Sequence, residues 1–312
     1  MKTLSISSFK SSELNHNFKN INQITLPDPP FDSGAYGEVY KCTVNGITQV
    51  VKIFKGPTVQ KSYNTIIDLQ NAVIKYNQKL RSSGEKPIEE INALWALPLF
   101  SFKGRLNNGL DVLGYSTYML DKEWMNFDKM FSEETSLDKR RELQSFFYGK
   151  ISPELRIKFI SDLLEGFLVL EKMNFVYADL NPKNFFININ EGKLCLIDYD
   201  SGAVNDEPET IGKHGDWLAP EIENGETTTS NLFTDYWSVA MTIHYFYFPF
   251  QPFFYLKGQN KKLMTEYFAK HQYPEVSKRD KNFYQGQEKK YNAYIEYLNN
   301  NINSEIIKAF KH

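Results

Sequence analysis

The residues best placed to do chemistry lie in two short segments near the middle of the chain. Tyr177-Ala-Asp179-Leu-Asn-Pro-Lys-Asn184 reads as a loop leaving a long helix, and Leu196-Ile-Asp198-Tyr-Asp200 follows a short hairpin later. One carboxylate in such a loop can accept a proton from an attacking hydroxyl. Asn184 and Asp198 offer hard oxygen atoms of the kind Mg²⁺ prefers alongside phosphate. Each piece alone is an ordinary Asx-rich turn; their order and spacing together argue against that reading. A third segment, Gly34-Ala-Tyr-Gly37-Glu-Val39, joins two strands and opens no helix, so it is neither a Walker loop nor a Rossmann turn. Its backbone amides could lie over a triphosphate, although two glycines in a hairpin ordinarily mean only a tight turn. Val50-Val-Lys52 comes one strand later. A lysine there is ordinarily a surface residue whose stem covers apolar neighbours.

These groups must be positioned by the elements around them. Phe31 to Val44 is a glycine turn running into an alternating segment, Asn45-Gly46 marks a hairpin turn, and Gln49 to Phe54 is the return strand. A helical pattern runs from about Val59 to Leu80, with Ile66, Ile67, Leu69, Val73 and Ile74 on its apolar face, and Ser82 to Pro87 breaks it. Strand-like runs follow at Leu94 to Phe102 and Gly114 to Leu120. Ser152-Pro153 then caps a long helix whose apolar positions are Ile157, Ile160, Leu163, Leu164, Phe167 and Leu168. A short hairpin, Phe185 to Ile189 with Leu194 to Ile197, precedes further helices at Tyr236 to Tyr245 and in the lysine-rich last third. Strands first and helices after them predict an α+β, two-lobed architecture. The expected divisions are an N-terminal extension over 1–25, a small antiparallel-sheet lobe with one helix over 26–121, and a larger, mainly helical lobe over 122–312.

Composition narrows the partners. The chain has 312 residues, 41% of them hydrophobic and 24% charged, which excludes a disordered chain, a collagen and a coiled coil. A net charge of −2 supplies no field for nucleic acid or an anionic membrane. Aromatic residues make up 15%, enough for a large core or an aromatic-lined groove. Cys42 and Cys195 form no disulfide framework and no metal-ligand spacing, which fits a reducing, cytoplasmic compartment. Met1 to Lys10 lacks the apolar core of a signal peptide. Val239 to Leu256 is apolar but interrupted by His244, Pro249, Gln251 and Pro252, so it reads as a buried helix and a turn and not as a membrane span.

Taken together, the motifs resemble those of a eukaryotic-type protein kinase domain, with its glycine loop, strand lysine, catalytic loop (here YADLNPKN) and magnesium motif (here DYD in place of DFG). Leu218-Ala-Pro-Glu221 falls where the family's APE motif ends the activation segment, and Asp235-Tyr-Trp-Ser-Val-Ala resembles the DxWSxG that opens its buried central helix. The resemblance runs from about Leu26 to the C-terminus, and several segments look like a bacterial serine/threonine branch. It implies transfer of the ATP γ-phosphate to Ser or Thr hydroxyls of a protein substrate, with Mg²⁺, or Mn²⁺, as the metal. By that resemblance Asp179 orients and deprotonates the hydroxyl, Lys52 holds the α- and β-phosphates, and Asn184 and Asp198 hold the metal. Phe31, Gly34, Ala35, Tyr36 and Gly37 would cover the nucleotide, Val39, Val51 and Phe186 would sandwich the adenine, and Met119 and Leu120 would begin a hinge reaching Lys122.

Several positions depart from the family pattern. Asp32 stands for the first loop glycine, Ala178 for the catalytic-loop arginine, Asn181 for the lysine that touches the γ-phosphate, and Asp200 for the glycine of the magnesium motif. Asp200 reads either as a turn aspartate or as an added carboxylate beside the metal. Without the arginine at 178, Thr210 is expected to be an ordinary loop residue and not a phosphorylation switch. Asp68 is the candidate carboxylate partner of Lys52, with Glu89 and Glu90 as alternatives. The chain is expected to stop before the family's last helix, so that Glu221 lacks its usual arginine partner unless Arg279 serves, and Lys257 to Asn303 reads as an insertion that is either a docking surface or a solvated set of helices. A small-molecule kinase and a nucleotide-binding pseudokinase remain the other readings, the oligomeric state being open.

Overall fold

The computed structural model describes residues 1–14, 18, 21–34, 36–210, 217–223 and 225–249, and positions 289, 292, 293, 296 and 300. Ala35, Arg279 and the segments 257–288 and 301–312 therefore lie outside the described residues, as does most of the expected insertion. The chain forms two compact units, Met1–Ile211 and Gly212–His312.

The first unit is built on a seven-stranded sheet. Its strands are β1 (Lys2–Ser11), β2 (Gln23–Leu26), β3 (Asp32–Ser33), β4 (Gly37–Val44), β5 (Ile47–Phe54), β6 (Phe100–Leu106) and β7 (Asp111–Tyr118), with the helix α1 (Val59–Ser83) between β5 and β6. The order across the sheet is β2-β1-β6-β7-β5-β4-β3, and every neighbouring pair is antiparallel. Residues expected to form an extension ahead of the sheet are thus part of it. β1 runs beside β6 from Leu4↔Leu106 to Ser11↔Phe100, with a bulge between Ile6 and Ser8. Its alternation places Leu4, Ile6 and Phe9 against Phe100, Phe102 and Leu106, and Phe18, Ile21, Ile24 and Leu26 join the same cluster. Tyr40, Val51 and Ile53 complete this core.

α1 covers other ground. Its buried positions, among them Ser62, Thr65, Ile66, Leu69, Val73, Tyr76 and Leu80, recur at helical spacing, and Gly84 at φ 72° ends it in the left-handed conformation that glycine adopts freely. Ser101 donates to the Gln70 side chain at 2.7 Å, tying the helix to β6. The strand expected from Leu94 starts later, at Phe100. The apolar run before it is a buried turn containing Asn92–Leu94, and Pro98, which has no amide to give a ladder, precedes the strand.

The rest of this unit carries β8 (Trp124–Asn126), α2 (Leu137–Lys150), α3 (Pro153–Lys172), β9 (Phe175–Val176), β10 (Phe185–Asn188), β11 (Lys193–Leu196) and β12 (Ala203–Val204). Ser152 caps α3 as its sequence implies, its hydroxyl accepting from the Leu155 amide with Pro153 in the first turn. β10 pairs with both β11 and β8, and β9 pairs with β12. The second unit contains α4 (Pro220–Glu223) and α5 (Leu232–Tyr247). A capping box of Asn231 and Thr234 starts α5. Ser238 on that helix donates to the Trp217 carbonyl at 2.9 Å, while the Trp217 indole donates to Thr242 at 3.0 Å and stacks on Tyr245. No helix among the described residues is long and apolar enough to cross a membrane.

Candidate active site

Strand alternation decides which side chains meet. Directly opposed residues of antiparallel strands point to the same face. Val39 on β4 and Tyr115 on β7 both stand opposite Lys52, and Thr117 stands opposite Val50. Val39, Val50, Lys52, Tyr115 and Thr117 therefore share one face, and half-buried Met119 follows directly after β7. Val51, expected against the adenine, faces the other way. It opposes Tyr40 and is fully buried in the core cluster, so Val50, two residues from Lys52, is the valine of the two on the face of Lys52. Leu120 and Phe186 are brought together around Ala96 and Cys195.

The glycine hairpin bears the expected features. β3 and β4 pair through Asp32↔Val39 and Ser33↔Glu38, and the Gly34 amide donates to the Gly37 carbonyl at 2.9 Å. A side chain at Gly34 would meet nothing within 4 Å, which leaves open space above the loop. At Gly37 a Cβ would lie 3.0 Å from the Ile53 carbonyl and 3.2 Å from the Lys52 Cε, so glycine is what lets the lysine stem pass. Phe31 and Tyr36 are exposed at this end of the sheet. Asp32 accepts from the Ser33 amide at 2.7 Å, which turns its charge onto its own turn.

Lys52 reaches across the unit to the second carboxylate segment. Its ammonium donates to Asp198 and, at 2.8 Å, to Asp200, and its side chain is only 13% exposed. Burial opposes the lysine charge, but the two carboxylates outweigh it and raise its pKa above the ordinary value. Burial likewise works against the Asp198 carboxylate, and Lys52 prevails there too, holding that group below the usual range. Asp200 goes the other way, pushed well up by burial and by the adjacent Asp198 charge. Tyr115 donates to Asp198 at 3.4 Å. Asp68 does not take part: it is exposed on α1. Glu89 is tied to Asn77 at 2.7 Å and to Arg81, and Glu90 is exposed.

Asp179 is held as a fork. Asn181 donates to its Oδ1 at 2.9 Å and Asn184 to its Oδ2 at 2.8 Å. Asn181 is thereby committed to the carboxylate, and Lys183 beside it is exposed. With the Asn184 amide nitrogen on Asp179, its Oδ1 is the atom left for a cation. The Ile197 amide donates to the Asn184 carbonyl at 2.9 Å, and the buried Tyr177 hydroxyl donates to the Ile197 carbonyl. These bonds lock the Asp179 loop to the Asp198 segment. Ala178 and Asp198 both sit at left-handed backbone, φ 65° and 63°. Such strain costs about 1–3 kcal/mol at a residue other than glycine and persists where the surroundings hold it. Sequence reasoning gave no role to Tyr115, Tyr177 or Val50. The Val50 signal was present in the strand period; the other two depend on long-range register.

An amide oxygen and a carboxylate are suitable donors for Mg²⁺, which completes its shell with water and phosphate oxygens instead of an all-protein cage. Among the described residues there is no cluster of three or more His, Cys, Asp or Glu arranged for a metal.

The chain belongs to the protein kinase domain family, whose model matches residues 110–305. Among curated proteins it is similar to the serine/threonine-protein kinase sck2 of Schizosaccharomyces pombe, 30% identical over 107 residues, a match covering 33% of this chain and 16% of that protein. It is also similar to the dual specificity protein kinase TTK of Mus musculus, 28% identical over 149 residues, covering 42% of this chain and 17% of that protein. The matched stretch thus spans about a sixth of the length of these relatives. The family match begins after Lys52 and the glycine hairpin, so the joining of Lys52 to Asp198 is independent support from geometry.

Proposed function

We propose that the chain transfers the γ-phosphate of ATP to serine or threonine hydroxyls of protein substrates. The observation that carries this reading is the meeting of Lys52, from β5, with Asp198, while Asp179 and Asn184 are locked to the same segment through Tyr177 and Ile197. In this reading Gly34 and Gly37 let the hairpin backbone approach the triphosphate, and Val39, Val50 and Phe186 border the adenine. The Lys52 ammonium binds phosphate oxygens. Asn184 Oδ1 and the Asp198 carboxylate would hold Mg²⁺, which when bound would neutralise charge on the phosphates. Asp179, fixed through both oxygens, orients the substrate hydroxyl and accepts its proton. Positioning and charge neutralisation are the main demands of phosphoryl transfer, and these residues meet them.

The test is phosphate incorporation from γ-labelled ATP into a panel of serine, threonine and tyrosine peptides, in Mg²⁺ and separately in Mn²⁺. Label on Ser or Thr supports the reading. Label confined to small molecules, or ATP binding without transfer, contradicts it.

A further inference from the structure

We infer that Asp200 is the carboxylate that positions Lys52, so that the active-site lysine is set from within the metal-binding segment and not from α1. This rests on the kinase reading above and concerns the wiring of the same site. Asp200 was read from sequence as a turn residue or as an added carboxylate beside the metal; it does sit in a turn, Tyr199–Ser201, and its carboxylate lies on Lys52. Its side chain is 5% exposed, and its Oδ1 accepts from the Lys52 ammonium at 2.8 Å. A buried aspartate beside another carboxylate is unfavourable unless a cation compensates, and Lys52 is the cation in contact with both. α1 offers no competing carboxylate, since its one acidic residue, Asp68, is exposed; in the turn beyond the helix Glu90 is exposed and Glu89 is spent on Asn77 and Arg81. The helix instead touches this segment through a neutral group, Thr65 donating to the Gly202 carbonyl at 3.1 Å.

The backbone is built to hold Asp200 inward. Tyr199–Ser201 forms a single tight helical turn directly after Asp198, whose left-handed backbone starts it. Tyr199 is fully buried, its hydroxyl donating to the Leu196 carbonyl at 3.2 Å. Gly202 ends the turn, where a Cβ would lie 2.3 Å from the Val176 carbonyl and 2.4 Å from the Phe175 ring, so this glycine seats the turn against β9. Asp198 accepts from Lys52 and Tyr115 and would also hold the metal; Asp200 gives Lys52 a second carboxylate that has no such duty.

The test is a double-mutant cycle on the full chain with Asp200→Asn and Lys52→Met, beside Asp68→Ala. Its probe is adenylyl imidodiphosphate with Mg²⁺, and calorimetry supplies the Kd. Asp200→Asn should weaken binding at least about 10-fold, the scale of one charge-assisted hydrogen bond. The same change should cost less than about 2-fold once Lys52 is Met, because the two act as a unit. Asp200→Glu, which keeps the carboxylate, should recover part of the loss, and Asp200→Ala takes the place of Asp200→Asn in the cycle if that variant does not fold. Asp68→Ala should bind as the parent does. Equal losses from Asp200→Asn in both backgrounds would overturn the inference, as would a loss on Asp68→Ala matching that of Asp200→Asn. A parent that binds no nucleotide would sink the functional reading and the positioning role with it. A parent that binds but shows no coupling between 52 and 200 would sink only the inference.

Discussion

Tyr40 and Val51 stand opposite each other across the β4–β5 pairing, both fully buried, on the face of the sheet turned away from Lys52. That relationship separates two adjacent valines by function. Val51→Ala should cost stability, about 2 kcal/mol for the lost methyls and the cavity they leave, with the KM for ATP unchanged. Val50→Phe should leave the urea midpoint close to the parent and raise the KM for ATP severalfold by filling the adenine space. Urea unfolding and initial-rate kinetics on both variants check this; the reverse assignment of effects would refute it.

The N-terminal strands are core and not appendage. Deleting residues 1–26 removes Leu4, Phe18, Ile21, Ile24 and Leu26 from the cluster around Phe100 and Phe102. The truncated chain should fail to give a cooperative thermal transition. Phe100→Ala in the intact chain should lower stability by about 3–5 kcal/mol. A truncated protein that melts cooperatively near the parent Tm would show that the sheet stands without β1 and β2.

Neither cysteine should react with iodoacetamide in the folded protein. Both are buried, and burial pushes the Cys42 thiol up to about 11 and the Cys195 thiol up to about 12. At neutral pH neither supplies the thiolate that alkylation requires. Mass spectrometry should find no label until denaturant is added; rapid labelling of either residue under native conditions would contradict the packing.

Phosphorylation of the loop at Thr210 should not control the enzyme. Ala178 stands at the position whose arginine would bind such a phosphate. Thr210→Ala should keep kcat/KM within about twofold of the parent, within the ordinary range of a single mild substitution. Loss of activity in that variant would show a switch that works without the arginine.

Much of the candidate site was legible because its chemistry is local. Asp179, Asn184 and Asp198 sit in short segments whose residue types alone suggest a proton acceptor and a metal, and Ser152-Pro153 announces α3. The errors have physical causes. Val51 was placed by the resemblance, where the strand period puts Val50 on the face of Lys52. α2 went unnoticed because its apolar face is thin, with Phe147 its one buried residue. The pairing of Lys52 with Asp200 joins residues 148 apart, and that of Tyr115 with Asp198 spans 83. β1 finds β6 across 89 to 102 residues, from Ser11↔Phe100 to Leu4↔Leu106, with alternation too weak to announce a sheet strand. Contacts of that range are set by register and packing, which no local pattern encodes.

The central claim is that Asp179 is the base of a phosphoryl transfer. Its most direct test compares the intact chain with Asp179→Asn for incorporation from γ-labelled ATP, with phosphosites mapped and the Kd for the Mg²⁺ nucleotide measured on both. The account predicts incorporation on Ser or Thr that falls by about 10²–10⁴ in the variant while the Kd stays close to the parent's. Transfer that survives Asp179→Asn at the parent rate would contradict it.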